Sequence, residues 1–154
     1  MVIEQAAEAA SNKNKSGWVF TLQMPSYLPV MQYAENRNLR KILSSEFGKI
    51  GYGGEFDNRE IIKKIVLLRF KKAQILGFED HAEYTLQKRM AGKTNTVMSF
   101  LNRLFDVYHP YAEKELDEVK ALADKDGITD FQSWDSAYYS EKLKKQKYNF
   151  DQEE

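Results

Sequence analysis

The chain of 154 residues contains no cysteine, only three prolines, eight glycines and two histidines. With no cysteine there can be no disulfide, no thiol nucleophile and no thiolate metal ligand, a usage that sits with a reducing cytoplasmic compartment. The two histidines, His81 and His109, are far apart in the chain and form no H-E-x-x-H pair. Zinc hydrolysis requires two or three imidazole or carboxylate ligands and one open position, so the sequence names no metal ligand. No G-x-S-x-G elbow is present, and GYGG at residues 51–54 lacks the Lys-Ser/Thr that completes a phosphate loop. It reads as a glycine turn. No catalytic residue can be named, and substrate-binding residues stay unassigned. No run reaches the roughly 18 apolar residues of a membrane span, and MVIEQAAEAASNKNKSG has neither a basic nor an apolar signal region. One-signed charge is missing too. Lys plus Arg and Asp plus Glu number 23 each, so no long-range field recruits nucleic acid or an anionic membrane.

What is present is a folded, helix-rich composition, 42% hydrophobic and 30% charged. A domain of this length buries about 70% of the surface its unfolded chain exposes, enough for one core without staples. The expected fold class is mainly α with one short β-strand. Residues 2–10 read as a helix, followed by the polar turn SNKNKSG. GWVFTLQM at residues 17–24 alternates Trp18, Phe20 and Leu22 with Val19, Thr21 and Gln23, which predicts a strand over 17–23. No partner strand follows it, so its backbone would need cover from elsewhere. Ser26 is a candidate cap for a helix that turns Val30, Met31 and Ala34 inward, and Asn36 for one carrying Leu39, Ile42, Leu43 and Phe47, closed by Gly48.

DNREIIKKIVLLRFKKAQILGF gives the strongest helical signal. Asp57 and Glu60 make a capping-box pattern, Ile61, Ile62, Ile65, Val66, Leu68, Ala73 and Leu76 recur at helical spacing, and Gly77 closes it. Asp80 with Glu83 opens a helix to about Met90. Thr94 is expected to cap a long helix running to Gly127, which Pro110 should bend or divide. Ser133 is the expected cap of the last helix. His81 and His109 read as polar helix residues, and charge-rich EKELDEVK and EKLKKQK as solvated faces with i, i+4 pairs. Tyr108, Tyr111, Tyr138 and Tyr139 could offer rings and hydroxyls to a peptide, although core packing is the commoner use. Trp134, Tyr138 and Tyr139 crowd three large rings into six positions, which calls for a substantial neighbour.

Several segments, read in order, carry a resemblance: GWVFTL (17–22), YAENRNLR (33–40), DNREII (57–62), KAQILGF (72–78), AEYTLQKRM (82–90), WDSAYYSEKL (134–143) and YNFD (148–151). In order and spacing the series resembles the middle of the thimet oligopeptidase family of zinc metallopeptidases, which includes oligopeptidase A and peptidyl-dipeptidase. The style of EFDNREIIKKIVLLR points to the bacterial peptidyl-dipeptidase branch. Departures are a short GKIGYGGE loop, Phe70 where a polar residue is common, and Asn38 in place of a usual Glu.

The resemblance implies a helical segment of the neurolysin-like metallopeptidase fold, a body built round a narrow channel that admits short peptides. It also implies that the zinc motif lies beyond the region matching Glu154. Residues 1–154 are then a single helical fragment of a larger catalytic body, inactive alone. Its partners would be the remainder of the peptidase and, there, short peptides. Zinc would be held by the larger protein and no cofactor by this chain. A fragment would expose an apolar patch at Trp18, Phe20 and the rings of Trp134, Tyr138 and Tyr139, and self-association could cover it. The competing expectation is a self-contained helical module that binds peptides or a protein without chemistry, with the 17–23 strand buried and both termini capped.

Overall fold

A computed structural model describes residues 2–149. Among the described residues there are seven helices and no strand: α1 (Val2–Ser11), α2 (Met24–Tyr33), α3 (Arg37–Phe47), α4 (Arg59–Ile75), α5 (His81–Leu86), α6 (Thr94–Lys125) and α7 (Ser133–Tyr148). The mainly helical fold class holds. The strand expected over 17–23 does not form. A strand needs a partner ladder, and here the main chain is satisfied singly: Val19 N–H donates to Ala6 O and Thr21 N–H to Ser26 Oγ, each at 2.9 Å. Of the alternating set, Phe20 and Leu22 lie against the α2–α3 core, whereas Trp18 is 62% exposed.

Helix boundaries follow local chemistry. The side chain of Asn36 caps α3 by accepting from Leu39 N–H, and that of Asp80 caps α5 by accepting from Glu83 N–H. Gly77, at φ +81°, closes α4, and Phe78 N–H reaches back to Ala73 O at 3.0 Å. Four expected caps are displaced, among them Thr94, which is the first residue of α6 and not its cap. α2 starts at Met24, two residues before Ser26, because Pro25 suits the first turn. At α4 the Asp57 carboxylate turns to Arg59, which it holds at 2.5 Å, and Asn58 is the N-cap. At α7 the capping box is formed by Gln132 and Asp135, ahead of Ser133. α6 is not divided: it runs unbroken through Pro110.

The chain forms two compact units, one from the residues up to Ile50 with those from Glu115 onward, the other from Gly51 to Lys114. The first holds two buried clusters. Val119, Leu122 and Ala123 of α6 pack with Tyr139 of α7, joined by half-buried Ile128, Phe131, Tyr138 and Leu143. Val30, Met31 and Leu43 of α2 and α3 are covered by Phe20, Leu22 and Leu39, and by Trp134 and Ala137 of α7. Tyr27 stacks on Phe47 at 4.4 Å between ring centroids. In the second unit α5 folds back on α4. There Phe78 meets Tyr84 edge-on at 5.4 Å, and Lys72 lies over the Tyr84 ring at 5.1 Å. Ala73 is the one buried residue described in that unit.

Candidate functional site

The most organised cluster of charged groups lies where α3 meets α7. Asp135, in the first turn of α7, has no exposure at all, and Arg40 is 2% exposed. Arg37 lies on the same face of α3, one turn before Arg40, and donates to Asp135 through Nε (3.0 and 3.2 Å) and through its terminal nitrogen at 2.8 Å. Arg40 donates to Oδ1 at 3.0 Å, and Gln132 N–H to Oδ2 at 3.1 Å. Further Arg donors are used as well. Arg40 reaches Trp134 O, Ala34 O and Glu35 O, and Arg37 reaches both the carboxylate and the carbonyl of Asp130.

The guanidinium of Arg40 also lies over the Tyr138 ring, 4.2 Å from its centroid. Burial alone would raise the Asp135 carboxyl, but the hydrogen bonds from Arg37, Arg40 and Gln132 outweigh it and hold the group below its ordinary value. Arg37 is raised by the same contact. A buried cation, Arg40, and a half-buried one, Arg37, meet a buried anion, so the cluster locks α2, α3 and α7 together. It presents no free base or nucleophile.

Beside this lock lies an open groove of about 400 Å³ lined by Gln32, Tyr33, Glu35, Tyr138, Glu141, Lys142 and Lys145. Lys142 is committed to Asp126, whose carboxyl its hydrogen bond holds down, and Lys147 binds Glu118. Tyr139, pushed up by burial, forms the floor of the α6–α7 core. The three crowded rings therefore find much of their neighbourhood in this chain. Tyr139 is buried and Trp134 and Tyr138 are half-buried, which corrects the expectation that they form an exposed patch. Of that patch only Trp18 is left, since Phe20 is half-buried as well.

The structure does not bring the two histidines together. His81 opens α5, and its Nδ1 is buried without a hydrogen-bond partner among the described residues. His109 lies on α6 against the Phe105 ring (4.5 Å) with Nδ1 3.4 Å from Glu113. Among the described residues no three His, Asp or Glu side chains converge as a metal site. The described residues do not fit a zinc ion, and no step of metal chemistry follows from them. Tyr108 and Tyr111 are 63% and 66% exposed on α6, away from any pocket described for this chain.

The segments that build the lock, YAENRNLR and WDSAYYSEKL, fall within a stretch with a known counterpart. Residues 30–154 match Peptidase family M3. The chain belongs to that family. It is 38% identical over 160 residues to oligopeptidase A of Haemophilus influenzae, covering 99% of this chain and 23% of that protein. Organellar oligopeptidase A of Arabidopsis thaliana is 33% identical over 97% of this chain and 20% of its own length. Dipeptidyl carboxypeptidase of Escherichia coli is 28% identical over 97% of this chain and 22% of its own length. The M3 segment thus spans less than a quarter of these relatives.

Sequence reasoning missed Arg37, Arg40 and Asp135 as a group. Helical periodicity marks Leu39 and Leu43 as inward, and a charge is by default assigned to solvent. The available signal was the spacing of two arginines three apart on the face carrying Leu43, together with an Asp in a first helical turn beside Trp134.

Proposed function

We propose that this M3 chain is a non-catalytic helical portion of a cytoplasmic, zinc-dependent peptidase that cleaves short peptides, supplying scaffold and channel wall. In this reading residues 1–154 are one fragment of a larger catalytic body. The observation that carries it is the family match over residues 30–154, in a chain that aligns with only 23% of a relative named oligopeptidase A. The scaffold part of the reading is supported by the buried charges of the chain, Arg40 and Asp135, which are spent on one another. Zinc and the attacking water belong to the larger protein.

The test is a transplant. This chain replaces the matching segment of the H. influenzae oligopeptidase A, and cleavage of short peptides is assayed with and without a chelator. Chelator-sensitive cleavage by the chimera, with none by the chain alone, is the expected result. An inert chimera, together with stoichiometric peptide binding by the free chain, would replace the scaffold reading with a self-contained binding module using the Tyr33–Tyr138 groove.

A further inference from the structure

α6 carries one apolar stripe along its length, covered over only part of it. Helix α6 has 32 residues and α7 has 16, about 48 and 24 Å at 1.5 Å per residue. The two run antiparallel where they meet. Lys142 pairs with Asp126 near the C-terminal end of α6, and Lys147, almost the last residue of α7, pairs with Glu118. Cover from α7 therefore ends near Glu118. Up to that level the stripe is buried, at Val119 and Leu122. Beyond it the same three-and-four spacing continues through Tyr108, Phe105, Leu101 and Met98, which are 63%, 60%, 48% and 54% exposed. Ala112 continues the series between the two stretches.

We propose that residues 98–108 of α6 are a docking seam for helices of the peptidase polypeptide outside this segment, extending the interface that α7 begins. The inference rests on the scaffold reading above. Three observations select this occupant over a second copy of the chain. The seam continues an established helix–helix interface. It is also wide: Leu104 and Tyr111, seven positions apart, extend it along one edge, where a two-stranded pair of identical helices would carry charges to fix its register. A face with apolar residues beyond the two seam positions belongs to a bundle in which more than one helix packs on it. Finally, the relatives hold most of their length outside the matching region. The charged neighbours Arg103 and Asp106 lie off the stripe.

The experiment uses the same chimera, with the photoreactive residue benzoylphenylalanine in place of Phe105, and identifies the crosslinked peptide by mass spectrometry. A crosslink to chain outside the transplanted segment is expected. Leu101→Glu should lower the Tm of the chimera several-fold more than Arg103→Glu, with native helix content in both. A crosslink confined to the segment itself, a crosslink to a second copy, or equal Tm changes for the two variants would overturn the proposal. A chimera that crosslinks as expected but cleaves no peptide would remove the catalytic-scaffold reading and leave the seam standing.

Discussion

The two units solve the burial problem in opposite ways. The unit built from residues up to Ile50 and from Glu115 onward closes its core internally: Val30, Met31, Leu43, Val119, Leu122 and Tyr139 are each less than a tenth exposed. The unit from Gly51 to Lys114 carries a comparable apolar load and leaves it open, with Ile61, Ile62, Ile65, Val66, Leu67 and Leu68 of α4 all between 42% and 61% exposed. Both have well-formed helices with defined starts and stops, so helix formation does not separate them. What separates them is the second layer. A helix gains most of its stability from packing one face on a neighbour, and among the described residues α4 has α5 alone for that purpose. The lesson is that a family segment can be complete in secondary structure and incomplete in tertiary cover.

If that contrast is right, the largest single effect in the chain should come from Asp135. Asp135→Ala removes the shared acceptor of Arg37 and Arg40 and leaves the buried Arg40 cation without its carboxylate, at a cost of about 3–5 kcal/mol. Such a loss is a large share of the stability of a small unit. Urea unfolding followed by tryptophan emission would show it, since Trp134 precedes Asp135 and packs in the core it locks. An unchanged midpoint would mean that the lock is dispensable. Leu122→Ala should follow at about 2–5 kcal/mol, through lost burial and the cavity it leaves. The same change at Leu68, half exposed in α4, should cost far less in the free chain.

The lock should also be visible in pH. The folded-state value of Asp135 lies below its ordinary value, so its contribution to stability is full above about pH 4, the ordinary carboxyl range. It is lost as pH falls through the folded value. Acid titration of the wild type should therefore destabilise this unit below about pH 4 more steeply than it does Asp135→Asn, which has no carboxyl there to titrate. Parallel acid limbs for the two proteins would assign the acid sensitivity elsewhere.

How much of this could be read in the sequence depends on range. Local rules located the elements: Asn36, Asp80 and Gly77 act at the helix ends where their chemistry places them, and apolar spacing found α3 and α4. The missing strand shows where local rules fail, because alternation at GWVFTLQM says nothing about whether a ladder partner exists, and of its set Phe20 and Leu22 meet the core while Trp18 does not. The lock was hidden for a different reason. Arg37 and Asp135 are 98 residues apart, and only the tertiary fold reveals that two arginines and an aspartate cancel one another in the interior. The exposed seam on α6 lies within the long helix expected from Thr94 to Gly127. No pattern within one helix can say whether its neighbour lies in the same segment.

The smallest expected effect is also the most discriminating. Ile75, at the end of α4, is 85% exposed. In the free chain Ile75→Ala should shift stability by no more than about 0.5 kcal/mol, the range for surface positions without a special role. A polar surface would give that result too, so the companion measurement is binding of a dye for exposed apolar surface. Ile61→Ser with Ile65→Ser should lower dye binding markedly while leaving the urea midpoint of the α7-locked unit in place. If the double variant instead unfolded that unit, α4 would have cover of its own in the free chain, and the division between a closed and an open unit would have to be redrawn.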